Sequence, residues 1–211
     1  MDAFFAIVLL LSTLMLFRIN KVVDAVVIIA LQSCILAIIA TMIWLETGIG
    51  HVLLAACLTF LIKTLLIPAI LFRVSRGEMA KRKIKRVFSS HYSVFIALVL
   101  MILGYHVAAY LPLAENHHGQ AYLATSISLL LLGTFAMIDH NHPIMQGIGL
   151  IVIENAIFLI PLAISYGMPL FIELGIMLDM LVAAAVIATL TLKIYNVFHS
   201  INTSRMQNLK G

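Results

Sequence analysis

The sequence is poor in charge. Asp, Glu, Lys and Arg make up 10% of its 211 residues, against 63% hydrophobic residues, whereas a soluble domain is roughly a quarter charged and half apolar. That supply cannot cover a water-facing surface, which excludes an ordinary soluble globular domain. Cysteine is almost missing: Cys34 and Cys57 both fall inside apolar runs, which excludes a disulfide framework and a zinc ribbon. Nor is there a nucleophile arrangement, a phosphate-cradling glycine loop, a dinucleotide fingerprint or a haem-ligand pair. The chain is therefore expected to carry no cofactor and no active site of its own. The N-terminal run MDAFFAIVLLLSTLMLF lacks the basic region and small-residue cleavage site of a signal peptide and reads as a retained first helix. The formal net charge of +4 comes from residues at segment ends and in one short linker, which speaks against nucleic acid as a partner and for topology signals.

What the sequence has in abundance is long apolar runs. Segments near the ~20 residues that cross a bilayer lie at about 2–17, 22–45, 50–72, 92–113, 121–138, 143–166 and 169–195, the first and fifth of them short. Backbone polar groups cannot stay unpaired in hydrocarbon, and the runs are too long and continuous for barrel strands. The expected fold class is all-α, a polytopic bundle of about seven transmembrane helices in a lipid bilayer. With the N-terminus outside, Arg18 and Lys21 fall on the cytoplasmic side after the first span, and the basic cluster from Arg73 to Arg86 falls there after the third. Lys193, Arg205 and Lys210 follow after the last. Twelve of the thirteen basic residues agree with this one topology; the exception is Lys63.

The polar stretch 73–90 divides the chain into a first unit of three helices, residues 1–72, and a second part made of a connecting helix and outer loop, 91–120, and three further helices, 121–211. The linker reads as a positive-inside anchor; the alternative is a contact with anionic lipid heads or a cytoplasmic partner. The two halves carry a faint echo: QSCILAI at 32–38 and ENAIFLI at 154–160 each sit mid-helix after a polar cytoplasmic turn, which fits a duplicated helix pair; chance likeness between apolar helices is the rival reading.

A charge at the centre of a membrane helix costs roughly 2.5–3.5 kcal/mol on insertion scales. Lys63, Glu154 and Asp179 carry that cost mid-span. Intramembrane ionisable groups default to a functional reading, and a desolvated carboxyl near a lysine has the chemistry of a proton relay. Glycines 147 and 149 let a neighbouring backbone approach near Glu154, and Pro68 removes a helical hydrogen bond five residues after Lys63. Asp24 and Glu173 stand nearer the helix ends and are secondary candidates. The competing reading is a static buried ion pair that holds helices together. His117 and His118 form a pair in the outer loop and His140 and His142 a pair in an inner turn; on opposite sides they cannot converge on a metal, so no metal site is expected and they read as surface loop histidines. His51 and His91 sit at helix ends, and His106 lies within the fourth helix.

LTFLIKTLLIPAIL around Lys63, GLIVIENAIFLIPLAI around Glu154, the Asp179 helix and the ending INTSRMQNLKG resemble the hydrogenase-4 component E family of membrane-bound group 4 hydrogenases and formate hydrogenlyase complexes. The resemblance covers most of the chain, most strongly from about 139 onward, and that second half is also similar to the three-helix K-type small membrane subunit of respiratory complex I. The resemblance implies a non-catalytic inner-membrane subunit of a redox-driven, ion-translocating complex in a bacterial or archaeal cell, packed against antiporter-like and other membrane subunits. The K-type subunit carries two membrane glutamates implicated in proton transfer. Glu154 falls on the first; Asp179 stands on the helix of the second, nearer in sequence to its partner than the family's acid. Lys63 matches a lysine of the E-component pattern and has no K-type counterpart. Two other readings remain open at this level: a purely structural helix-packing subunit, and a stand-alone ion transporter.

Overall fold

The computed structural model describes residues 2–75, 84, 86–111, 117–165 and 170–198. Among these residues the chain is an all-α bundle of seven helical rods: α1 (Asp2–Leu16), α2 (Val22–Thr47), α3 (Gly50–Val74), α4 (Ser90–Ala109), α5 (His117–Asp139), α6 (Pro143–Ser165) and α7 (Leu170–Phe198). Six are long and apolar enough to cross a membrane. The seventh, α1, has 15 residues and rises only about 22 Å, short of the ~30 Å hydrocarbon core. The first span is thus short, as its sequence implies. The fifth is not: its apolar part runs Gly119–Asp139, 21 residues, because the helix continues through polar residues at both ends. The basic residues at 76, 81–83, 85, 205 and 210, Glu115, and the ending INTSRMQNLKG lie outside the described residues.

Local chemistry sets the boundaries. The helix α2 stops at Gly48, whose φ of 68° is the left-handed cap conformation and whose N–H bonds to the Trp44 carbonyl at 2.7 Å. That turn sends the chain straight into α3. Pro143 opens α6, where its missing N–H costs nothing. The broadest helix contact is between α5 and α6, and two glycines make it possible. A Cβ on Gly133 would stand 2.8 Å from the Gly149 carbonyl oxygen, and one on Gly149 would stand 2.9 Å from the Gly133 carbonyl oxygen, so the two backbones touch.

The core runs through α1, α2, α3, α5 and α6, with Leu9, Phe17, Ile29, Leu36, Ile39, Ile67, Leu129, Leu132 and Ile144 sealed within it. The helix α4 packs chiefly on α5 and turns Tyr92, Phe95, Ile102 and Tyr110 outward. Such exposed apolar and aromatic side chains suit a lipid surround.

Candidate functional site

The mid-membrane site begins with an irregularity in α3. Between Thr59 and Leu66 the helix widens into π turns, and the N–H of Ile67 bonds to the carbonyl of Ile62, five residues back. The cause is local: Pro68 has no N–H to offer, and its ring crowds the carbonyl four residues earlier. Short π segments gather at functional sites. This one carries Lys63, whose side chain is sealed inside the bundle at 1% exposure.

The ammonium head of Lys63 meets three groups of α6, one turn apart. Its Nζ lies 3.4 Å from Glu154 Oε2, 3.5 Å from Asn155 Oδ1 and 5.5 Å from the Phe158 ring centroid, the last a cation–π contact. From Asn155 the polar path continues across the bundle. Asn155 Nδ2 donates to Gln32 Oε1 of α2 at 3.4 Å, and Gln32 Nε2 donates to Thr13 Oγ1 of α1 at 2.7 Å, with Ser12 Oγ at 3.0 Å. Thr13 then donates to the Leu9 carbonyl at 2.9 Å. Every donor in this path points away from Lys63 and toward α1. Four helices are tied by one polarised chain, which stabilises a positive charge at its head. The hydroxyls of Ser33, next to Gln32, and of Thr59 and Thr64, on the π segment of Lys63, are buried without a hydrogen-bond partner. Groups of that kind take up ordered water.

Of the three central candidates, the structure joins Lys63 to Glu154 and sets Asp179 apart. Asp179 lies on an exposed face of α7. Asp24 is exposed near the start of α2, and the Glu173 side chain lies outside the described residues. Gly147 faces Ile187 of α7 and Gly149 faces α5, the close approaches expected near Glu154. Sequence reasoning passed over Gln32 and Asn155 as members of the site. They had one signal: each lies in the first two positions of the echoing segments QSCILAI and ENAIFLI, which now face each other.

The histidines divide. His51, His91 and His106 are exposed, and the side chains of His117 and His118 lie outside the described residues. His140 and His142 do not fit the expectation of surface loop histidines: they are 0% and 9% exposed. The linker does this. Residues 84 and 86–89 fold back over the turn, with Ile84 N–H bonded to Asn20 O at 3.2 Å, Val87 N–H to Asp139 O at 2.8 Å, and Arg86 bridged to His140.

Comparison with known proteins gives distant relatives. The chain is 23% identical over 182 residues, 86% of its length and 79% of theirs, to the proteins named Hydrogenase-4 component E of Escherichia coli and Shigella flexneri. It is 24% identical over 152 residues, 71% of its length, to an uncharacterized protein of Mycobacterium tuberculosis, of which that covers 68%. No family model matches the sequence, and no solved structure matches it. The chain is a multi-pass helical membrane protein distantly similar to the proteins named Hydrogenase-4 component E.

Proposed function

We propose that this chain is a non-catalytic inner-membrane subunit of a redox-driven, ion-translocating complex of the group 4 hydrogenase type, and that Glu154 holds and releases a proton in its membrane interior. The observation that carries the reading is the Lys63–Glu154 pair, closed off from solvent at the centre of the bundle. Such a pair is a poor stabiliser, since desolvation consumes most of the attraction and packed apolar residues do as well. Intramembrane ionisable residues mark ion pathways, and unpartnered hydroxyls beside this pair supply relay positions.

When Glu154 is ionised, Lys63 pairs with it directly at 3.4 Å. A proton arriving on Glu154 cancels that attraction, while Asn155 and Phe158 keep the lysine in place. The proton then leaves toward Asp179 on the next helix, α7. Asp179 itself faces outward from the chain, and a charge left against lipid at that depth costs roughly 2.5–3.5 kcal/mol. A polar group of a neighbouring membrane subunit, of antiporter-like type, covers it. Under the same reading residues 1–72 and 121–211 are two three-helix units, the second like the K-type subunit, joined by the basic linker 73–90 and the connecting stretch 91–120.

The test is proton uptake by sealed membrane vesicles that carry the assembled complex with Glu154→Gln or Asp179→Asn. Normal assembly with lost translocation is expected for Glu154→Gln. Normal assembly with normal translocation would leave a structural subunit, whose charges serve helix packing alone.

A further inference from the structure

We infer that the Asp139–His142 turn, roofed by the segment around Arg86, is a proton-binding station at the cytoplasmic end of the bundle, with Nε2 of His140 as the atom that takes the proton. The destination of that proton, Glu154, rests on the function proposed above; the station itself rests on its own geometry.

The first observation is which protons are already placed. His140 Nδ1 lies 2.8 Å from the Ala136 carbonyl oxygen. A carbonyl only accepts, so Nδ1 carries the ring hydrogen and Nε2 of the neutral ring is a bare lone pair. That Nε2 is buried and has no hydrogen-bond partner. Asp139 accepts the Phe88 N–H through Oδ1 at 3.2 Å, and its Oδ2 is likewise buried without a hydrogen-bond partner. Nδ1 of His142 is a third such atom. Against the two bare acceptors, His140 Nε2 and Asp139 Oδ2, stands one buried donor without a partner among the described residues of the cluster, Nε of Arg86. The cluster is short of protons, and buried polar groups left in that state are rare in a static core.

The second observation is the arrangement of charge. Arg86 comes from the crossing segment; its guanidinium caps the carbonyls of Phe17 and Ile19 at the end of α1 and reaches Ser90 of α4. Asp139 ends α5, and Gln146 of α6 donates to the His140 carbonyl at 3.1 Å. Arg18, Lys21, Asp24 and His91, on the neighbouring ends of α1, α2 and α4, are exposed. Arg86 and Asp139 balance each other, so the site is neutral until a proton adds to it, and the negative end of the α5 dipole favours that proton. Burial lowers His140 from its ordinary value, opposed by the Ala136 hydrogen bond and by Asp139, with Arg86 lowering it further. Burial, together with His140, lowers His142 to about 4. Both rings are therefore neutral at pH 7 and free to accept, and neither holds a proton tightly. Along α6, twelve residues separate His142 from Glu154, about 18 Å, roughly half the bilayer.

The experiment is imidazole ¹⁵N NMR on the full chain in lipid nanodiscs, which reads the unmodified residue. At pH 7 His140 is expected neutral with its hydrogen on Nδ1, and Nε2 is expected to protonate reversibly below the ordinary histidine range while the chain stays folded. A hydrogen fixed on Nε2 at pH 7, or no protonation before unfolding, would overturn the station. In vesicles of the assembled complex, His140→Gln is expected to slow translocation several-fold and to flatten its dependence on cytoplasmic pH, while Glu154→Gln abolishes it. Loss in Glu154→Gln with an unchanged rate and pH profile in His140→Gln refutes the station alone. Unchanged translocation in Glu154→Gln refutes the proposed function, and the NMR titration then decides the station.

Discussion

Glu154 and Asp179 occupy neighbouring helices, yet their surroundings differ in kind. Around Glu154 the chain supplies everything a charge needs: Lys63 at 3.4 Å, Asn155 and Phe158 to hold the lysine, and Gln32 with Thr13 behind them. Around Asp179 the chain supplies an open helix face. The first charge is met inside the molecule; under the proposed function a neighbouring subunit meets the second. An isolated subunit would gain nothing from the second arrangement, and a subunit of a larger assembly would use it as a contact.

The sharpest way to break this contrast is to remove the lysine. Lys63→Met leaves Glu154 as a buried charge without its cation and is expected to destabilise the detergent-solubilised chain by about 3–5 kcal/mol. The double variant Lys63→Met/Glu154→Gln removes both charges and should recover most of that loss in the same thermal or denaturant melts. A single variant no less stable than the parent would mean that the pair is not the internal solution described here.

A second effect belongs to the Asp139–His142 turn. His142 in the folded chain is lowered to about 4 by burial, below its ordinary value near 6.5. The unfolded chain therefore binds more protons between those values. Stability is full above about pH 6.5 and falls as the pH drops toward 4, by about 3 kcal/mol for this residue. Unfolding followed across that window should show the slope, and His142→Gln should flatten it.

Smaller again is the loss from Gln32→Leu, which cuts the link between Asn155 and Thr13 and leaves both amide and hydroxyl without their partner. About 1–2 kcal/mol is expected, read from the same melts. The smallest effect on the isolated chain comes from Asp179→Leu, within about 0.5 kcal/mol of the parent or slightly stabilising. Its consequence lies in assembly: affinity purification should recover less of the neighbouring membrane subunits. Full recovery of partners would show that the exposed face is simply against lipid.

Much of the bundle was legible because bilayer thickness and backbone satisfaction leave few choices for a 20-residue apolar run. The fifth span read as short because polar residues at Gln120 and Asp139 lower hydropathy at the ends of a helix that continues through them. The π turns of α3 were not legible as such, since hydropathy does not encode turn width; Pro68 announced a broken hydrogen bond but not how the helix would absorb it. Lys63, Glu154 and Asp179 stood out by cost alone. Which carboxylate the lysine meets depends on how α3 and α6 pack, and no local pattern holds that information. The same applies to His140 and His142: the run DHNHP has the composition of a solvated turn, and it is buried only because a segment fifty residues earlier in the chain lies across it.

Protonation of Glu154 during turnover is the central claim, and redox-triggered infrared difference spectroscopy on the assembled complex tests it most directly. The expected result is a protonated-carboxyl band that changes with turnover, disappears in Glu154→Gln and persists in Asp24→Asn. The same band unaltered in a correctly assembled Glu154→Gln complex would contradict it.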